Sequence, residues 1–335
     1  MKPMEPKMKT MGWLVRREYW EHRGMLLWVP LAIAAAMLAF ALAMAAMGHN
    51  AEIHMDMPEG KASGVTILMG ARQQQALADM AATTYPMVAA PLYIAMAFMV
   101  FSYCIGALYN ERRDRSLLFW KSLPVSDTAA VLSKVALALL LIPLGIVVLE
   151  LATALLITLV GLAVLAYKGT NVLPLLLVSP HFWLTPLKLV AVVPVYVLWA
   201  LPTVGWLLMV SSWARSKVIV WAIGAPLLTA MLLSWANKAF ALGLNMEWLF
   251  SNVISRLLIS VVPGTWFTID ALRHPVEHAG AVAEKGPTAE VHGVVDALFN
   301  GSWAAVATPH LWLGAIAGAL MIVAAIWLRR RREEG

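Results

Sequence analysis

Three groups of residues in this chain are of types that could do chemistry. Glu150 is an acid deep inside a long apolar run. An ionisable group there costs roughly 2.5–3.5 kcal/mol on insertion scales and usually faces a bundle interior or a wet cavity. It could line a translocation pathway, select cationic cargo or take up a proton; if its helix projects outward, it reaches the outer interface instead. His49, His54, Met55, Asp56 and Met57 sit close together and mix ligand types that suit copper or zinc. Exposed polar loop residues would look the same, so no metal site is assigned. His274 and His278 are four apart, but Pro275 allows an H-x-x-x-H helix only at a first turn.

The third group is the stretch Tyr109 to Asp127, with four cations and three acids. Glu111, Arg112, Arg113, Asp114, Arg115 and Ser116 precede an apolar knot, Leu117-Leu118-Phe119-Trp120, which Lys121 and Pro124 follow. A loop that only joins two membrane spans needs none of this. Charges around an apolar centre suit an element that leaves the membrane and docks on another protein. Leu117, Phe119 and Trp120 would be its anchors, because buried aromatics commonly dominate interface energetics. The competing reading is that the charges hold the loop at the headgroups.

The elements that must position these residues are set by composition. The chain has 335 residues, of which 61% are hydrophobic and 13% charged, with a net charge of +6. Soluble domains carry about 25% charged residues, so this is an integral membrane protein of all-α class. The cations cluster beside apolar runs, so topology explains them better than nucleic acid does. One cysteine, Cys104, permits no internal disulfide. No G-x-x-x-x-G-K-[ST], G-x-S-x-G or H-E-x-x-H motif occurs. No catalytic residue is assigned, no cofactor is expected on this chain, and any ATP and Mg would sit on a separate subunit.

Six spans are expected. Residues 1–24 form a basic leader with an imperfect amphipathic helix from Trp13 to Arg23, suited to the headgroup region. The first unit, 25–108, holds spans Met25–Met47 and Pro86–Leu108 with an outer loop at 48–85. The charged loop occupies 109–130. Residues 131–236 hold the third span, from near Val131 to Tyr167 as one long helix, and spans Leu189–Val210 and Val218–Trp235. The apolar patch Leu173–Trp183 is too short to span. Residues 237–310 form an outer region, and 311–335 the last span, Leu311–Leu328, with a basic tail.

Within the outer region, Val253, Ile254, Leu257, Leu258, Val261 and Val262 share one helical face, giving an amphipathic helix over 250–262. Arg256, Ser255 and Ser260 fall off that face. Gly314 and Gly318 form a G-x-x-x-G, expected to pack helices within the chain rather than to seam a dimer. With both termini inside, the inner segments hold 17 of the 25 cations, as the positive-inside rule requires.

The charged stretch resembles the loop after the second span in bacterial type-2 ATP-binding-cassette permeases. That family carries the pattern E-x-x-x-x-S/T-x-x-x-L/W-x-x-x-P-V/I-S, and Glu111, Ser116, Trp120, Pro124, Val125 and Ser126 stand at its positions. Most of the chain fits the family's layout. The resemblance implies an exporter permease of the bacterial inner membrane that pairs with a second permease copy, or a related permease. It implies two ATPase subunits per complex and makes the loop a coupling helix. It also implies a short outer helix before the last span, where Val253, Arg256, Leu257 and Val261 would gate an exit; a helix packed on an external domain is the alternative. Cargo in this family ranges over drugs, peptides, lipids and ions. Two other functions fit parts of the chain: an ion-coupled secondary transporter using Glu150, and a membrane enzyme or metal-binding protein using the outer His, Met and Asp residues.

Overall fold

The computed structural model describes residues 7–47, 71–113, 126–266 and 294–331. Nearly all of these are helical and none lies in a strand. The helices are α1 (Lys7–Glu21), α2 (Gly24–Ala46), α3 (Gln73–Arg113), α4 (Asp127–Tyr167), α5 (Leu173–Val178), α6 (Pro180–Trp213), α7 (Val218–Phe240), α8 (residues 246–258), α9 (Val294–Val306) and α10 (Pro309–Arg331). Six of them, α2, α3, α4, α6, α7 and α10, are long and apolar enough to cross a membrane. The chain is a multi-pass membrane protein, because helices satisfy their own backbone in hydrocarbon.

α6 is the centre. Its most extensive contact is with α10, and α3, α4 and α9 also pack on it. The α6–α10 contact is close because glycines face it: a Cβ on Gly318 would lie 2.5 Å from the Leu201 carbonyl carbon, and one on Gly205 would strike the Gly318 carbonyl. Gly314 faces Pro202 and Arg256. The G-x-x-x-G therefore packs inside the chain. α2 and α7 stand at the periphery, where Phe40, Leu228, Met231 and Trp235 are exposed.

Several boundaries differ from the sequence expectation. The outer loop 48–85 is helical from Ala71 to Thr84, and a 3-10 turn, Tyr85–Ala89, carries the chain past Pro86 into the second span. The polar composition of 71–84 hid this helix. α6 begins at Pro180, so the Leu173–Trp183 patch is divided at Ser179 between α5 and α6. α4 runs unbroken past Pro143; a π turn, Leu137–Leu141, just precedes that proline. A proline ring collides with the carbonyl four residues back, and the wider turn relieves this.

α1 does not stand apart from the bundle. Leu14 and Glu18 are buried against it, and the backbone stays helical through the π turn Gly24–Trp28 into α2. The amphipathic face expected from Trp13 to Arg23 exists, but half of it is a docking surface for the protein's own core.

Candidate functional site

Four nearly buried charged side chains from four helices meet at one end of the bundle. Lys134 of α4 places Nζ 2.9 Å from Glu18 Oε1 of α1 and 2.9 Å from Glu111 Oε1 of α3. The other Glu111 oxygen is 2.5 Å from Arg329 Nη1 of α10. Arg329 Nε reaches Asp127 Oδ1 at 3.1 Å, where α4 begins. Tyr103 donates its hydroxyl proton to Glu18 Oε2 at 2.9 Å. Glu18, Glu111, Lys134 and Arg329 are each more than nine-tenths buried.

This cluster sits at both roots of the segment 114–125. Glu111 and Arg112 precede that segment, Ser126 and Asp127 follow it, and Arg329 holds Glu111 and Asp127 together. Arg112 Nη2 donates to the carbonyls of Ser211 (2.6 Å) and Ala214 (2.8 Å), closing the last turn of α6. Ser211 Oγ accepts from the amides of Leu108 and Tyr109 and donates to the Ile105 carbonyl. Ser126 caps α4 by accepting from Ala129 N. The residues flanking 114–125 are thus tied to α1, α3, α4, α6 and α10 through charge-assisted or capping contacts. Of the residues read as coupling elements, Arg113 is exposed beside the clamp. Asp114, Arg115, Ser116, Leu117, Phe119, Trp120, Lys121 and Pro124 lie outside the described residues, as do His49, His54, Met55, Asp56, Met57, His274 and His278.

Glu150 lies higher in α4, fully buried. Its Oε2 accepts from Tyr93 Oη at 3.4 Å, and its Oε1 has no hydrogen-bond partner among the described residues. The neighbouring apolar cleft is walled by Ile146 and Leu149, not by Glu150. In this arrangement it faces the α3–α4 seam.

α8 covers most of the expected outer helix, starting at 246 and ending at 258. Its buried residues are Ile254 and Arg256, and Ser260 and Val261 just beyond it are also buried. Val253 and Leu257 are half-buried and Val262 is exposed. Arg256 and Ser260, which fall off the expected apolar face, are thus buried together with Ile254 and Val261 of that face. Arg256 Cζ sits 3.6 Å from the Trp199 ring centroid, and its guanidinium lies against Gly314. Gly314 precedes Arg329 by fifteen residues on α10, about 22 Å at helical rise. Arg256 therefore lies toward the end of the bundle away from the clamp, beside the second turn of α10. The segment is tied there by Thr203 Oγ1 donating to the Arg256 carbonyl (2.8 Å) and Tyr196 Oη donating to the Val261 carbonyl (3.0 Å).

Sequence reasoning does not reach the clamp's members in α1, α4 and α10: Lys134 and Arg329 count only among the 17 inner cations, and no motif marks Glu18. The pairing Lys134–Glu18 is 116 residues apart, so no spacing rule could reveal it. One signal was present: Glu18 is an acid in a basic segment that otherwise suits anionic headgroups.

Comparison with known proteins returns no match: no family model, curated protein or solved structure is found to be similar to the chain.

Proposed function

We propose that the chain is the membrane-spanning permease subunit of an ATP-driven exporter of the ATP-binding-cassette type. On this reading both termini are cytoplasmic and the protein resides in a bacterial inner membrane. The segment 114–125 docks on a separate ATPase, two ATPases serve a pair of permeases, and ATP and Mg belong to the partner. The single observation that supports it is the clamp: Arg329 joins Glu111 to Asp127 across the roots of the segment, and Lys134 joins that point to α1. A loop that merely connects two spans has no need to be locked to four helices. A loop that transmits a push does, because force is passed on only by an element held rigidly at its base.

Coupling would run from the ATPase through Leu117, Phe119 and Trp120 into the clamp, and from there into α3, α4 and α10. The buried Arg256 on α8, between α6 and α10, then lies where a rocking of these two helices would be felt, which suits an outer gate made by Val253, Arg256, Leu257 and Val261. Glu150 would meet cargo in another state of the bundle. A second reading, an ion-coupled transporter, draws on the Glu150 oxygen that has no partner among the described residues.

The test is affinity purification of the tagged full chain from its native membranes after mild cross-linking. An ATPase with a phosphate-binding loop in about equal amount, lost with Trp120→Ala and retained with Trp235→Ala, is the expected result. Recovery of the native chain without any such ATPase would remove the coupling reading and leave Glu150 as the place to look.

A further inference from the structure

One face of α1 is not used by the clamp. Trp13, Arg16, Trp20 and Arg23 follow at i, i+3, i+7 and i+10, which puts them on one helical stripe, and all four are exposed. The stripe is a repeated couple: Arg16 Cζ lies 5.7 Å from the Trp13 ring centroid, and Arg23 Cζ lies 5.9 Å from that of Trp20. On the opposite face Leu14 and Glu18 are buried, and His22 sets its ring edgewise to Tyr103 at 5.0 Å. Tyr19 falls between the two faces, next to Arg16 and Arg23 by helical spacing.

Tyr19 also stands in the wall of a cleft of about 190 Å³ between the start of α2 and α4. The other walls are apolar, among them Leu27, Pro30, Leu141, Gly145 and Leu149. Leu27 and Leu141 are exposed, so the cleft opens sideways, toward the space that hydrocarbon occupies in a bilayer. Gly145 is eleven residues beyond Lys134, so the cleft reaches about 16 Å past the clamp. Trp favours the membrane interface, and guanidinium groups fork onto phosphate oxygens. An apolar slot with paired arginines beside it matches one kind of occupant in charge and shape.

We propose that α1, α2 and α4 form a binding site for a single anionic glycerophospholipid. Its phosphate rests on the Arg16–Arg23 edge, its glycerol region lies against Trp20 and Tyr19, and one acyl chain fills the cleft. Because Glu18 reaches from the same helix to Lys134, occupancy steadies α1 in the clamp. The consequence for transport, that anionic lipid strengthens coupling, rests on the permease reading above; the site itself does not.

The experiment is native mass spectrometry of the full chain in mild detergent, titrated with phosphatidylglycerol or with phosphatidylcholine of the same acyl chains. One phosphatidylglycerol should survive activation that strips phosphatidylcholine. Arg16→Gln with Arg23→Gln should lower its retention at least tenfold, to the phosphatidylcholine level; both side chains are exposed, so the fold is not at stake. Gly145→Leu should also release it, since a Cβ there meets nothing within 4 Å and the side chain enters open space. Equal retention of the two lipids, or native retention by the arginine variant, overturns the site. Native retention by Gly145→Leu overturns the seating of the chain in the cleft. Lipid counting needs no ATPase, so this site and the permease reading fail separately.

Discussion

Arg329 Nη1 stands 2.5 Å from Glu111 Oε2, so the last turns of the sixth span are fastened to the end of the second. Through Nε the same guanidinium also holds Asp127. A planar fork can satisfy two carboxylates at once, whereas an ammonium acts as a point charge. Arg329→Gln should therefore loosen both roots of 114–125 without unfolding the spans. Trypsin sites at Arg115 and Lys121 report this directly. Cleavage between Arg113 and Ser126 should quicken several-fold in the variant, with Arg329→Lys intermediate. An unchanged cleavage rate would mean that the segment is not held by this residue.

Lys134 is flanked by Glu18 and Glu111, and removing it leaves two buried carboxylates facing each other. Breaking a buried pair by deleting one partner typically costs about 3–5 kcal/mol, while replacing the whole set by apolar groups is often neutral. Lys134→Met should lower the thermal midpoint of the detergent-solubilised protein sharply. Adding Glu18→Gln should recover much of the loss, because Glu111 keeps Arg329 whereas Glu18 is left with the Tyr103 hydroxyl. Additive losses in the double variant would refute the linkage.

The spans were legible because hydrocarbon demands about 20 apolar residues in a row, and the sequence supplies six such runs. The meeting of α1 with the end of α10 agrees with an even number of crossings. What stayed hidden has physical causes. Helix 71–84 carries Arg72, Gln73, Gln74 and Gln75, so its composition reads as a loop. Arg256 falls off the apolar face of 250–262 by spacing, yet it is buried, because Trp199 lies under its guanidinium; no periodicity within 250–262 could show that partner. The clamp joins residues up to 218 apart, and only packing reveals it.

Gly318 and Gly161 make a matched pair for testing the α6–α10 contact. A Cβ at Gly318 would lie 2.5 Å from backbone atoms of Leu201, which cannot swing away, whereas one at Gly161 meets nothing within 4 Å. Gly318→Ala should cost at least the 1–3 kcal/mol typical of overpacking, roughly, and lower the yield of monodisperse protein. Gly161→Ala should leave the yield unchanged or raise it slightly, since alanine is the better helix former. Equal behaviour of the two variants would mean that α6 and α10 are not in close contact.

Arg256 and Trp199 stack at 3.6 Å inside the bundle. A desolvated cation over an indole face is worth about 2 kcal/mol or more. Arg256→Lys keeps the charge but not the plane, so it should lose most of the stabilisation. Trp199→Phe should fall between native and Trp199→Ala. Melting curves followed by tryptophan fluorescence, compared with Arg256→Lys in the Trp199→Ala background, give the coupling. A coupling near zero would show that the two side chains are neighbours without interacting.

Glu150 is buried with one long hydrogen bond from Tyr93 and one oxygen that has no partner among the described residues. A polar group left in that condition costs about 1–3 kcal/mol, and a leucine of similar reach would lack the penalty. Glu150→Leu should therefore raise the thermal midpoint of the purified protein. If the proposed permease function holds, vesicles carrying the variant with an ATPase partner should lose transport, as expected where activity is maintained at the expense of stability. Tyr93→Phe removes the remaining donor and should lower the midpoint. If Glu150→Leu instead destabilises the protein as strongly as Lys134→Met, the carboxyl is a structural tie between α3 and α4. Its place on the transport path would then have no support.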